Sequence, residues 1–136
     1  MTEAEMRERF GAARVARLAT SSAEGEPHLV PLCFALIGPH IVSVVDAKPK
    51  RSTNLRRLAN IRAQPRVSVL VDEYDEDWTR LWWVRADGTA RVVESGADRD
   101  ASVSALTAKY SQYQEQPPAG PVVEVTIDGW RGWSAS

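Results

Sequence analysis

The chain has 136 residues, a formal net charge of −1 at pH 7 and 43% hydrophobic residues. This length and apolar content suffice for a hydrophobic core without disulfide or metal cross-links, so we expect residues 1–136 to form a single domain. The balanced charge gives no general attraction for nucleic acid, and no stretch approaches the roughly 20 apolar residues that a membrane span requires.

The cysteine content and the N-terminus indicate a compartment. Cys33 is the only cysteine, so no intramolecular disulfide can form, and its setting in LVPLCFAL is typical of a strand interior. The N-terminus MTEAEMRERF alternates charges where a signal peptide would carry an apolar core. We therefore expect a soluble cytoplasmic protein.

Hydrophobic periodicity predicts the elements of the first third of the chain. A helix is predicted over residues 3–15, because Met6, Phe10 and Ala13 recur at intervals of three or four. From Val15 the spacing of apolar residues changes to every second residue. Strands are predicted over residues 15–20, 28–36 and 41–46, separated by the turn signals SAEGEP and IGPH.

The middle of the chain changes character twice. Leu55, Leu58 and Ile61 recur at intervals of three, which predicts a helix over residues 52–61 with Ser52 or Thr53 as its N-cap. The run RVSVLVD then predicts a strand, and EYDEDWTR predicts a polar loop.

The last third is predicted to hold three strands and one helix. Residues 81–94 are predicted to form two strands joined at the hairpin-favouring pair Asp87-Gly88. A helix is predicted over residues 98–113, a last strand over 122–127, and an aromatic tail after it. Six or so short strands joined mostly by short turns indicate a mainly β fold, an antiparallel barrel or sandwich with few helices.

A basic stretch follows the third predicted strand. DAKPKRSTNLRR, residues 46–57, holds five of the chain's 17 lysines and arginines. The stretch enters a helix, where free N–H groups and the helix dipole already favour an anion. The neighbouring hydroxyl and amide groups add uncharged hydrogen-bond partners, so the stretch is a candidate phosphate site.

The basic stretch has one simpler interpretation and one less favoured alternative. It could be a solvated loop followed by an ordinary basic helix face, and Arg56, Arg57 and Arg62 cannot all face one small ligand. Nucleic-acid binding is disfavoured, because no aromatic residues are interleaved and an acidic run follows at residues 72–77.

The remaining motifs give little further evidence about function. His28 and His40, the only histidines, have no metal-ligand spacing, so no metal site is expected, and no glycine-rich phosphate loop is present. Pro31 within a strand pattern marks an edge, a bulge or a ligand-facing position. Of the five tryptophans, Trp78 lies in a polar loop and is the best candidate to cover a ligand ring.

The segments in combination resemble a known family. RVARLATSSAEGEPHLVPLCFAL, the long segment from IVSVVD to YDEDW, and GTARVV follow in order the pattern of the pyridoxamine 5′-phosphate oxidase-like split β-barrel proteins. DAKPKR, NLRRLANI, PRVSVLVD and LWWVRADGTA are most similar to an actinobacterial branch described as probable coenzyme F420-dependent oxidoreductases.

The resemblance implies a homodimer of six-stranded FMN-binding split barrels with peripheral helices, holding two cofactors at the subunit interface. The cofactor phosphate is gripped after the third strand, which by position falls on Lys48, Lys50, Arg51, Ser52, Thr53 and Asn54. The ring-facing backbone falls on Val30, Pro31, Leu32, Val44 and Val45.

The implied activity is hydride transfer from reduced coenzyme F420, a deazaflavin, to a small organic acceptor. The protein would supply placement and electrostatics, and no catalytic side chain is identified. Two alternatives remain. FMN in the same barrel would give an oxidase or flavin reductase, and a cofactor or haem carrier would not turn over.

Overall fold

The computed structural model describes residues 1–45 and 52–136, and of residues 52–55 it describes the backbone alone. In this part of the chain, every helix is too short or too polar to cross a lipid bilayer.

The described residues form one curled antiparallel sheet of seven strands, in the order β2-β1-β5-β6-β7-β4-β3. The strands are β1 (Ala16–Ser21), β2 (Pro27–Leu32), β3 (Ala35–Ile37), β4 (His40–Val44), β5 (Arg66–Glu73), β6 (Trp82–Val93) and β7 (Val122–Ser134). The predicted mainly β class is confirmed, since the helices are few and lie outside the sheet order.

The predicted strand over 28–36 is two strands, whereas the two strands predicted over 81–94 form one, so these two differences cancel in the count of seven described strands. Cys33 and Phe34 separate β2 from β3, so the expectation that Cys33 lies inside a strand is wrong. Phe34 is fully buried, and its backbone N–H and C=O both hydrogen-bond to the Tyr110 hydroxyl at 3.1 Å. These bonds replace ladder hydrogen bonds and let the chain leave the sheet between the two strands.

Two predictions for the last third are also wrong. Asp87-Gly88 does not turn the chain, because β6 runs through it and only a bulge marks the pair. A Cβ at position 88 would collide with the carbonyl oxygen of Thr126, so the glycine serves close strand packing. The aromatic tail is likewise the second half of β7, paired with β6 as far as Ser134.

The helices are α1 (Glu3–Ala12), α2 (Ser52–Ala63), α3 (Ala97–Lys109) and α4 (Ser111–Glu115), with a 3₁₀ turn at Trp78–Arg80. Thr2 and Glu5 form a capping box at the start of α1. The helix predicted over 98–113 is interrupted at Tyr110, whose backbone is extended. Its side chain is buried and hydrogen-bonded to the link between β2 and β3, which holds the residue out of the helix.

Strand alternation separates an inner from an outer sheet face. Leu18, Val30, Val69 and Val84 point inward and belong to the main core, which Phe10 of α1 and Ile61 of α2 complete. Side chains one residue away on the same strands point to the opposite, outer face.

Candidate functional site

Helix α2 places polar side chains on its buried face. Leu58 and Ile61 belong to the core, and Arg57 and Asn60 lie on the same side of the helix. Arg57 is 7% exposed and Asn60 is 5% exposed. Since arginine is almost never fully buried unless it is paired, this face of α2 is unusual.

Asn60 ties the helix to the sheet. Its Nδ2 donates a hydrogen bond of 3.1 Å to Oγ1 of Thr20, which is also buried, at the end of β1. His28 on β2 lies directly opposite Thr20, so its side chain points to the same face of the sheet. We refer to Thr20, His28, Arg57 and Asn60 as the α2 corner.

Two nitrogen atoms of the α2 corner lack partners. Nε of Arg57 and Nδ1 of His28 are buried and have no hydrogen-bond partner in the described part of the chain. Burial lowers the pKa of Arg57. Burial and the charges of Arg56 and Arg57 lower the pKa of His28. Within the described residues the corner therefore presents a cation without a counter-ion and an imidazole nitrogen without a partner, which an anion with several acceptor oxygens would satisfy.

The neighbouring basic residues of α2 behave differently. Arg56 pairs with Glu26 at 3.1 Å and Arg62 approaches Glu94 at 4.0 Å, and both arginines are exposed. They match the interpretation of a solvated helix face. Sequence reasoning missed the separate position of Arg57, although its spacing of four from Ile61 put it on the apolar stripe of the helix.

The outer face of the sheet carries a groove of about 700 Å³. Its lining includes Arg17, Leu29, Leu70, Tyr74, Trp83 and Arg85, and we call it the outer groove. Leu29 is 67% exposed and Tyr74 is 66% exposed. Apolar side chains gathered on one exposed sheet face are typical of a surface that binds a ligand or another protein.

A smaller polar hollow of about 390 Å³ continues the outer groove. Arg85 donates to Asp87 from Nε at 2.8 Å and from Nη2 at 3.1 Å, and Ser68 Oγ donates to the same carboxylate at 2.7 Å. Burial by itself would raise the pKa of Asp87, but the hydrogen bonds from Arg85 and Ser68 lower it below its usual value. Asp87 is therefore a fixed carboxylate and is poorly suited to donate a proton.

Backbone groups of two strands are open on one side. In the described sheet β2 is an edge strand, paired with β1 alone. On the other side β3 pairs only as far as Val42, so Ser43 and Val44 are paired with β7 alone. These segments can offer backbone N–H and C=O groups to a ligand without breaking the sheet.

Comparison with protein families identifies the chain. Residues 2–134 match the family described as pyridoxamine 5′-phosphate oxidase. The chain belongs to the pyridoxamine 5′-phosphate oxidase family. Curated proteins give no match.

Solved structures agree with the family. A conserved hypothetical protein of Mycobacterium tuberculosis is 26% identical with a TM-score of 0.75, over 99% of this chain and 86% of that one. A FAD-binding protein of Mesorhizobium loti is 25% identical with a TM-score of 0.74, over 97% and 94% of the two chains. The haem storage protein of Vibrio cholerae, 15% identical with a TM-score of 0.74 over 97% and 93%, shares the fold.

The grip residues inferred from the resemblance to the pyridoxamine 5′-phosphate oxidase family are only partly described. Lys48, Lys50 and Arg51 lie outside the described residues. The backbone of residues 52–54 forms the first turn of α2, as predicted, but the side chains of Ser52, Thr53 and Asn54 are also outside the described part. Their role as a phosphate grip stays a prediction.

The predicted ring-facing residues lie on the two open segments. Val30 and Val45 are buried, Leu32 and Val44 are half-buried, and Pro31 is exposed at the sheet edge opposite Arg17. Because Val30 and Val45 bury their side chains in the core, they could meet a ligand only through their backbone. Pro31 fits the edge-strand interpretation that its sequence pattern left open.

The tryptophans divide between the two faces. Trp82 packs against the core beneath Arg9, while Trp83 lines the outer groove, as the alternation of side chains along a strand requires. Trp130 packs edge-to-face on Phe10. Trp78 is 77% exposed, and its role as a ring cover stays a prediction.

Proposed function

We propose that this member of the pyridoxamine 5′-phosphate oxidase family is an oxidoreductase that holds a phosphorylated tricyclic coenzyme at the α2 corner. The observation that carries the proposal is Arg57, a buried guanidinium without a counter-ion among the described residues. Removing a charge from water without pairing it is costly, so a chain that keeps such a cation implies an anion that binds beside it.

Phosphate is the anion that the corner fits best. It carries several strong acceptor oxygens, which can receive N–H bonds from Arg57, from His28 and from free backbone groups of the first turn of α2. The grip is proposed to be completed by residues of the segment before α2 and of its first turn, namely Lys48, Lys50, Arg51, Ser52, Thr53 and Asn54. The total of local positive charge exceeds what one carboxylate would require.

The ring of the coenzyme is proposed to lie against the open backbone of β2 and β4, at Val30, Pro31, Leu32, Val44 and Val45. Backbone N–H and C=O groups can hydrogen-bond to the polar edge of such a ring without contributing charge of their own. Trp78 is proposed to cover the ring from the β5–β6 connection, since its exposed indole offers a large apolar surface.

Coenzyme F420 is the proposed hydride carrier, with FMN as the alternative. The deazaflavin tail carries extra carboxylates, for which basic residues such as Lys48 and Arg56 are suited, although Arg56 already pairs with Glu26. The FAD-binding relative of Mesorhizobium loti, at 25% identity, supports a flavin instead. Either coenzyme, when bound, would supply hydride chemistry to a small organic acceptor.

The chain's own residues would bind the coenzyme and orient its ring. Arg57 and His28 fix the phosphate, the sheet edge fixes the ring, and the core behind β2 excludes water from one side. Asp87 is held as a carboxylate by Arg85 and Ser68 and is therefore not assigned the role of a proton donor.

A homodimer is proposed to form through the outer groove. Exposed Leu29 and Tyr74, with Trp83 between polar side chains, are the kind of surface that a second copy of the chain would cover. Leu29→Glu should shift the chain to monomer in sedimentation, whereas Ala108→Glu, on an exposed helix position, should not. A wild-type chain that sediments as a monomer at micromolar concentration would contradict the dimer.

Binding is tested by titrating the protein with FMN, F420 and riboflavin while following Trp fluorescence. Riboflavin lacks the phosphate and should bind at least about tenfold more weakly than FMN, the smaller end of the effect of a lost charge-assisted hydrogen bond. Arg57→Gln should reduce this difference, and Arg62→Gln, on the exposed face of the same helix, should leave it unchanged. Equal binding of FMN and riboflavin would refute the phosphate site.

Turnover separates an enzyme from a carrier. Reduced F420 or reduced FMN is mixed with candidate enones, quinones and tetrapyrroles, and coenzyme oxidation is followed by absorbance. Catalytic oxidation that depends on the acceptor supports the oxidoreductase. Tight coenzyme or haem binding without turnover across these acceptors would favour the carrier.

A further inference from the structure

His28 occupies a specific place in the α2 corner. It lies opposite Thr20 in the β1–β2 pair, and Thr20 accepts the hydrogen bond from Asn60. Its Nδ1 is buried and has no hydrogen-bond partner in the described residues. A buried imidazole nitrogen without a partner, beside a buried arginine that has no counter-ion among the described side chains, is costly in the free protein and indicates a ligand atom that completes it.

The charges that face His28 come from two directions. Arg56 and Arg57 approach from α2, and both positive charges act on the imidazole. Glu26, just before β2, is engaged by Arg56 at 3.1 Å. Burial is the largest cause that lowers the pKa of His28, and the two arginines lower it further, so the ring is neutral at pH 7 in the free protein.

We infer that His28 takes up a proton when the coenzyme phosphate binds, and that the resulting imidazolium donates its Nδ1–H to a phosphate oxygen. The inference rests on the proposed function, because it requires a phosphate at the α2 corner. The proton comes from solvent, and the only new covalent bond is the N–H bond of the ring.

The physical reason is a reversal of the local field. A phosphate monoester brings a charge of about −1.5 to −2 at pH 7 with three acceptor oxygens. Beside two arginines alone the imidazolium is disfavoured, but an anion within hydrogen-bond distance favours it. A neutral ring could still donate from Nδ1 if the proton of its other nitrogen moved there, and this tautomer would bind phosphate without proton uptake.

Proton uptake predicts the direction of a pH effect. If His28 gains a proton on binding, FMN affinity falls as pH rises from 6 to 8, by up to about tenfold per unit where uptake is complete. The phosphate of FMN has its own second pKa near 6, so binding of its dianion alone would strengthen with pH over the lower part of this range. The two effects have opposite signs and can be separated by a variant.

The test is calorimetric titration with FMN at pH 7 in PIPES and in Tris, two buffers with very different ionisation enthalpies. The dependence of the observed heat on the buffer gives the number of protons taken up. The wild type should take up about half a proton or more beyond His28→Gln, because the phosphate contribution is common to both. His40→Gln, the only other histidine, lies opposite Thr126 and should match the wild type.

Each outcome decides something. Equal proton counts for wild type and His28→Gln, with FMN bound by both, would overturn the role of His28 and leave the proposed function intact. Failure of the wild type to bind FMN or F420 would overturn both. If His28→Gln does not fold, NMR of histidine-labelled wild type gives the answer. Two protonated ring nitrogens of His28 in the FMN complex support the inference, and one refutes it.

Discussion

Asn60 of α2 donates a hydrogen bond of 3.1 Å to the Thr20 hydroxyl of β1, and both side chains are buried. This bond joins the helix that carries Arg57 to the strand that lies beside His28. It fixes the distance between the two polar groups that we assign to the phosphate, so its loss should affect both stability and binding.

Asn60→Ala is expected to destabilise the protein by about 1–3 kcal/mol, because it leaves the Thr20 hydroxyl buried with one partner fewer. Urea unfolding followed by Trp fluorescence measures this change. Thr20→Val removes the other partner, and the double variant should cost less than the two single changes together. Additive changes would show that the bond contributes nothing of its own.

Arg57→Met is expected to separate stability from binding. The methionine keeps part of the apolar stem and removes a buried charge for which the described part of the chain supplies no counter-ion, so the free energy of unfolding of the free protein should stay equal or rise. FMN binding should weaken by about 1.5–3 kcal/mol. Urea unfolding and fluorescence titration check the two parts. A loss of stability comparable to that of a core deletion would mean that Arg57 has a partner within the protein.

Much of the fold followed from local patterns. The three-residue spacing of Leu58 and Ile61 predicted α2, and the alternation of RVSVLVD predicted β5. The hairpin predicted at Asp87-Gly88 was wrong, because a local turn preference carries no information about a distant partner strand. Here that strand is β7, and it leaves no room for a side chain at Gly88. The prediction of an irregular tail after Asp128 failed for the same reason, since these residues form a strand only because they pair with β6.

The candidate site was only partly predictable. The basic stretch at the start of α2 was visible as a charge cluster, but charge counts do not distinguish a buried arginine from a solvated one. Arg57 and Arg56 are adjacent in sequence, and the helix turns one to the core and the other to Glu26. His28 and Thr20 join the site through strand register, which the sequence of either strand does not specify.

Gly88→Ala tests the register shift between β6 and β7 at Asp87 and Gly88. The new methyl group would meet the Thr126 carbonyl, which is strand backbone and cannot move aside, so we expect a loss of about 3 kcal/mol. Gly129→Ala is the matched control on β7, because a Cβ there has no neighbour within 4 Å. Thermal unfolding compares the two. Equal melting temperatures would show that the strands separate at the bulge without cost.

Tyr110→Phe tests the link between β2 and β3. The Tyr110 hydroxyl lies 2.9 Å from the carbonyl oxygen of Arg14 and 3.1 Å from that of Phe34, so its single hydrogen is shared between these acceptors, and the hydroxyl oxygen accepts from the Phe34 N–H. Phenylalanine keeps the ring but leaves that buried N–H unpaired, so a loss of about 1–3 kcal/mol is expected in urea unfolding. Tyr74→Phe, on an exposed ring, should change stability by less than about 0.5 kcal/mol.

Lys109 should make stability rise with pH above neutrality. Burial, with a smaller contribution from Arg14, lowers the pKa of Lys109 to about 8 from 10.5. Between these values the unfolded chain binds more protons than the folded one, so the free energy of unfolding increases from pH 8 to pH 10. Below pH 8 the lysine is charged in both states and its burial is unfavourable. Lys109→Met should flatten the rise and stabilise the protein at pH 7, as measured by urea unfolding at each pH. An unchanged slope in this variant would show that the amine is fully hydrated despite its contacts with Gly11 and Phe34.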